Sequence, residues 1–224
     1  MRGEPLESGA LGWHGLEGDR RLAFRRLDER GGFPWLIASQ LPDLIRFATV
    51  RRGNSNGEAL PTHVRTPEGL EFPLFGEALA QDIARRHGSQ VQMMQLNQGI
   101  FDEANISVIT SETAREICRL AGTAADIRRF RPNIVVRSAR AVPFEEDEWL
   151  GGVLTFGEAE DAPAVAVTTR DVRCVMVNID PDGPGQSPEV LKAVVRANQN
   201  HAGIYATVTR IGRVALGQTV VLDR

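Results

Sequence analysis

Apolar residues recur along this chain in two rhythms, and the switches between them mark where helices and strands are expected. A spacing of three to four residues lines one helix face, whereas strict alternation lines one strand face. Residues 76–88 carry Leu79, Ala80, Ile83 and Ala84 on one stripe and stop at Gly88, which predicts a helix. A second helix is expected with Thr110 or Ser111 as its cap, Glu112 in the first turn and Gly122 as the stop. The third is the best marked. Ser187 caps it, Pro188 takes the first turn, and Val190, Leu191, Val194 and Val195 form its stripe.

Short β runs lie around these helices, at 22–27, 106–109, 133–136, 154–156, 164–167, 174–179, 205–209 and 220–222. Residues 1–75 read as strands and turns, with a turn at 28–32 and a hairpin or loop at 52–57, and 99–105 reads as loop. Short strands separated by glycine turns predict a fold that is mainly β with α. The expected form is a closed or nearly closed barrel with peripheral helices, preceded by a small N-terminal β portion over 1–75.

Composition narrows the function. Hydrophobic residues make up 42% and charged residues 25%, ordinary values for a folded domain. No apolar stretch nears the roughly 20 residues that span a bilayer, and no basic-then-apolar leader opens the chain, so a cytoplasmic protein off the membrane is expected. A net charge of −3 argues against general nucleic-acid binding. Lys192 is the only lysine, in no Gly-rich loop, so anions must be held by arginine and backbone amides. Two cysteines, Cys118 and Cys174, are too few for a disulfide scaffold.

Three stretches could carry chemistry. If 174–179 is a strand, Val175, Val177 and Ile179 face the core, and Cys174, Met176 and Asn178 face the other way. That places the Cys174 thiol toward solvent or ligand, whereas Cys118 falls on an apolar helix stripe with Ala114, Ile117 and Ala121. By the same parity Arg131 and Asn133 point together, opposite Phe130, Ile134 and Val136, and offer donors to a phosphate or a heterocycle edge. On spacing alone an ordinary solvated arginine cluster is the better reading there. The turn Gly15-Leu16-Glu17-Gly18-Asp19-Arg20 either aims Arg20 at an anion or pairs it with Asp19. The acidic run at 145–148 reads as a solvated loop, and the four histidines have no metal-ligand spacing.

In order, these pieces resemble the MOSC (molybdenum cofactor sulfurase C-terminal) domain family, in its β-barrel subfamily that includes the mitochondrial amidoxime-reducing component and bacterial relatives. The resemblance runs from Arg2-Gly3-Glu4 and the 15–20 turn, through Gly99-Ile100-Phe101-Asp102-Glu103, Thr110-Ser111-Glu112 and Arg129-Phe130-Arg131-Pro132-Asn133-Ile134. It continues through Glu146-Asp147-Glu148-Trp149-Leu150-Gly151, Arg173-Cys174, Asp180-Pro181-Asp182-Gly183 and Gly203-Ile204-Tyr205. It implies a MOSC-type barrel with an N-terminal barrel-like portion at 1–75 and the MOSC domain at 76–224. It also implies bound molybdenum cofactor, with Cys174 as metal ligand and catalytic thiol, and Arg20, Arg131 and Asn133 holding the pterin and its phosphate. Asp102 and Ser111 are implied as further cofactor contacts. Two departures stand out: the family's opening strand, ending in Lys-Ser, is missing before Met1, and a Thr-Ala-Arg segment appears as Ile37-Ala38-Ser39.

The implied activity is a molybdenum-dependent oxidoreductase that removes oxygen from N-hydroxylated or N-oxide-type small molecules. The chain has no four-cysteine iron–sulfur module, so electrons are expected from an external donor protein. Two alternatives are a persulfide or cofactor carrier using Cys174, and a barrel that has exchanged its cofactor for a binding partner.

Overall fold

The computed structural model describes residues 1–52 and 60–224. The expected hairpin or loop at 52–57 therefore lies, beyond Arg52, outside the described residues. In chain order the strands are β1 (Ser8–Gly12), β2 (Gly15–Leu16), β3 (Leu22–Arg26), β4 (Ala48–Val50), β5 (His63–Arg65), β6 (Glu71–Pro73), β7 (Val91–Gln95), β8 (Ile106–Thr110), β9 (Ile134–Val136), β10 (Val153–Phe156), β11 (Ala164–Val172), β12 (His201–Arg210), β13 (Gly212–Ala215) and β14 (Val220–Asp223). The helices are α1 (Glu77–His87), α2 (Ser111–Leu120) and α3 (Pro188–Asn198). Among the described residues no helix is long and apolar enough to cross a membrane.

The helices form where the apolar stripes place them, and two of their ends show the expected chemistry, whereas Ser187 stands at the start of α3 without a side-chain cap bond. α1 ends at Gly88, which takes the left-handed conformation at φ 90° that closes a helix without a Cβ clash. α2 is capped by Thr110, whose side chain accepts from the Thr113 N–H. α3 buries Val190, Ala193 and Val194; Val195, expected on that stripe, is half exposed.

The chain divides into two compact units. The first comprises Met1–Glu4, Gly18–Ile100 and Pro181–Pro184. It holds the antiparallel pair β3–β7, the three-stranded β4–β5–β6 sheet, and α1 with its buried Leu79 and Ile83. Here Arg86 pairs with Glu68 and Asp82 and lies over the Phe47 ring.

The second unit comprises Pro5–Glu17, Phe101–Asp180 and Gly185–Arg224. Its six-stranded sheet runs β14-β10-β11-β12-β8-β9, antiparallel except for the β8–β9 pair. Register shifts along β11 and β12 add unpaired residues to one strand, and such bulges bend and twist a sheet, so this one curls as half a barrel. One core cluster of this unit buries Leu11, Ile106, Val108, Leu154, Phe156, Val165, Val167, Ile204 and Val208. A second cluster holds α2 and α3 together with Ile109, Phe130, Val177 and Ala202. β8 serves both clusters, and all five of its residues are buried, as expected of a strand covered on two faces. The mainly β architecture with peripheral helices is the one its sequence predicts.

Candidate functional site

The segment after β11 departs from the expected strand at 174–179. β12 begins at His201, which pairs with Val172, so no partner strand continues past that point. Val175–Asn178 instead winds into a 3₁₀ turn, with Cys174 in extended conformation just ahead of it. The alternation fails accordingly. Val177 and Ile179 are buried, but Val175 is 54% exposed and Asn178 is buried, its Oδ1 accepting from the Leu191 N–H at 3.0 Å. Cys174 is exposed, as expected, but because the strand has run out rather than because of side-chain parity. Cys118 is fully buried among Ala114, Ile117, Phe130 and Val190.

The residue before Cys174 points inward. The Arg173 guanidinium is 2.8 Å from Asp171 Oδ2, and it donates to Ala202 O through Nε at 2.7 Å and to Phe130 O through Nη1 at 2.8 Å. It also lies over the Phe130 ring, 5.6 Å from the centroid. Asp171 accepts from Ser107 Oγ at 3.0 Å. Burial pushes the Asp171 carboxyl up, against the pull of Arg173, Ser107 and Tyr205, with Asp102 adding a smaller upward push. Burial likewise pulls Arg173 down, opposed first by Asp171. Tyr205, buried beside the pair, has its hydroxyl pushed up by burial and by Asp171.

The turn bearing Arg131 and Asn133 hangs from the same pair. Ile127–Phe130 is a 3₁₀ turn capped by Asp126, and Arg131 closes it in the left-handed conformation at φ 49°. Arg131 therefore stands before β9 rather than within it, and strand parity does not set its direction. Asn133 bonds Ser107 at both backbone atoms: its N–H donates to Ser107 O at 2.9 Å, and its Oδ1 accepts from the Ser107 N–H at 3.0 Å. The arginine that sequence reasoning passed over is Arg129. It is buried and donates to Asn178 O and Ile179 O, holding the far end of the Cys174 segment.

The remaining expected site residues lie on other elements. Ser111 opens α2 and donates to Glu112 at 3.0 Å. It lines a shallow depression of about 360 Å³ with Ala114, Arg115, Ala125, Asp126, Ile127 and Val135. Asp102 is exposed in a bend ahead of β8. Arg20 belongs to the first unit, where it is left-handed at φ 51° and pairs with Asp19 at 3.0 Å.

The acidic run corrects another expectation. Residues 145–149 form a 3₁₀ turn, and Glu146 within it is fully buried rather than solvated. The Thr110 and Thr113 hydroxyls lie 2.8 and 2.9 Å from its Oε2, and the Thr110 N–H donates to Oε1 at 3.4 Å. Burial pushes the Glu146 carboxyl up, against these bonds. Only the apolar Trp149 hinted from sequence that this run turns inward.

Among the described residues no three His, Cys, Asp or Glu side chains are grouped to hold a metal ion. The family model described as MOSC domain matches residues 84–221, more than half of the chain. Among solved structures the chain is similar to the YuaD protein from Bacillus subtilis, with 19% identity and a TM-score of 0.43, over 79% of this chain and 93% of that one. It is also similar to YiiM from Geobacillus stearothermophilus, with 21% identity and a TM-score of 0.40, and the match spans 54% of each chain. No curated protein sequence matches the chain.

Proposed function

This chain belongs to the MOSC domain family, whose function is in general related to molybdenum cofactor, and we propose that it binds that cofactor with Cys174 as the metal's protein ligand. The observation that carries the proposal is the exposed Cys174 thiol, next in sequence to an arginine that also fastens the Phe130–Asn133 turn. Thiolate is a soft donor and suits thiophilic metals. Among the described residues no three His, Cys, Asp or Glu side chains are grouped to hold a metal, so in this reading an organic cofactor would supply the remaining ligands. That chemistry fits a dithiolene-bearing pterin. Arg131 and Asn133 would hold its phosphate and heterocycle, with Asp102 and Ser111 of the same unit as further contacts.

Bound there, the cofactor would supply two-electron reduction that removes oxygen from an N-hydroxylated or N-oxide-type substrate, with electrons from an external donor protein. The chain's own part is to present the thiol, bind the anion and orient the pterin. In this reading the protein works in the cytoplasm on small molecules. The test compares molybdenum and pterin content of wild type, Cys174→Ala and Cys118→Ala, expressed in a host that makes the cofactor. Cys174→Ala should lose both, Cys118→Ala should keep both, and the loaded protein should reduce an amidoxime with a chemical reductant. Equal metal in Cys174→Ala, or none in wild type, would refute the reading. A persulfide adduct on Cys174 without tightly held molybdenum would favour the carrier role.

A further inference from the structure

The Asp171–Arg173 pair joins two segments of the second unit that bear proposed cofactor contacts, the one at Cys174 and the turn at 131–133. From Arg173 one bond reaches Phe130 O, the residue before Arg131, and the chain continues from Arg173 into Cys174. From Asp171 one bond reaches Ser107, and Ser107 holds Asn133 through both its N–H and its carbonyl. The contacts thus close a ring: 171 to 107, 107 to 133, along the chain to 130, and back to 173. Both Phe130 O and Ala202 O, which Arg173 satisfies, come from different segments, so one guanidinium ties three pieces of chain.

Stability alone gives weak grounds for such a pair. A buried ion pair pays heavy desolvation, and apolar residues of similar volume often serve a fold as well or better. The backbone nearby is shaped to admit it. Gly203 sits at φ 86°, and a Cβ there would lie 2.6 Å from Val108 O and 3.1 Å from Arg173 Nη2. Glycine at this bulge leaves the room the guanidinium occupies.

We propose that the Asp171–Arg173 ion pair is a positioning device that fixes the Cys174 segment against the turn carrying Arg131 and Asn133. Its meaning for function rests on the cofactor reading above; its geometry does not. Neither residue touches the cofactor in this account. Arg173 acts through Cys174 and Phe130, and Asp171 acts through Ser107 and Asn133.

The test uses the full chain without cofactor, so that its outcome is separate from that of the functional reading. Amide hydrogen exchange is followed in wild type, Arg173→Met, Arg173→Lys and Asp171→Asn, together with the mobility of a nitroxide attached to Cys174, the accessible thiol. In Arg173→Met, exchange at Asn133 and Val177 should rise together by about tenfold or more, while Ile117 and Val194 in the helices stay within about twofold. The nitroxide at Cys174 should gain mobility in parallel. Arg173→Lys should fail to rescue, because an ammonium lacks the planar fork that reaches two carbonyls and a carboxylate at once. Asp171→Asn keeps the volume and can still accept from Ser107, and gives the same reading if the methionine variant does not fold. Faster exchange in only one of the two segments, or faster exchange everywhere including Ile117, overturns the proposal. So does full rescue by lysine. Absence of molybdenum from wild type would end the cofactor reading and leave this result standing.

Discussion

Replacing Glu146 tests whether a buried carboxylate anchors the start of α2. Glu146→Ala leaves the Thr110 N–H and the two threonine hydroxyls without their acceptor. The hydroxyls stand 2.9 Å apart and can turn toward each other, which recovers one bond. About two bonds to a charged acceptor are then lost, at about 1.5–3 kcal/mol each, offset in part by relief of the carboxylate's own burial. The net cost should be about 2–3 kcal/mol, which for a chain of this size lowers Tm by about 5–10 °C. The pH dependence gives a sharper test. Burial raises the Glu146 carboxyl above its ordinary value of 4.5, so the folded state binds that proton more tightly than the unfolded state does. Its contribution is complete below the ordinary value and is lost as pH rises through the folded one. Glu146→Gln keeps the volume and an acceptor for Thr110 but does not ionise. Its stability relative to wild type should therefore improve as pH rises from about 4 to about 8, by denaturant titration followed by circular dichroism. A gap that stays constant over this range, or an alanine variant within about 0.5 kcal/mol of wild type, would refute the argument.

Other outcomes follow from single positions. Native protein should titrate one thiol per chain with a maleimide and two after unfolding, since Cys174 is exposed and Cys118 fully buried; two in the native state would break the assignment. Gly203→Ala meets Val108 O at 2.6 Å in a left-handed backbone, and should cost about 2 kcal/mol or more in denaturant titration. Glu68 in the first unit is held at about 2 by its bonds to Arg86 and Thr66. Its stabilisation is present above the ordinary value of 4.5 and fades as pH falls toward 2, but the carboxylate is half exposed, so Glu68→Gln should cost no more than about 1 kcal/mol at pH 7.

Local chemistry wrote much of this fold into the sequence. Gly88 at a left-handed helix stop, Thr110 as a cap and the apolar stripe of α2 all act within one or two helix turns, and each was legible in the spacing of residues. So was the burial of Cys118, because helical periodicity alone assigns it a face. The 174–179 segment shows the limit. Its valine alternation reads as a strand, yet a strand exists only where another chain segment supplies hydrogen bonds, and β12 starts too late to supply them. The same limit hid Glu146, Arg129 and the Asp171–Arg173 pair. A charged residue enters a core only when partners distant in sequence converge on it: Thr110 for Glu146, Asn178 for Arg129, Phe130 and Ala202 for Arg173. Sequence thus determined which residues could cap, alternate and ligate, since those properties depend on near neighbours. Tertiary structure decided which charges are buried and what they hold, because the cost of desolvation is met only by groups brought together across the fold.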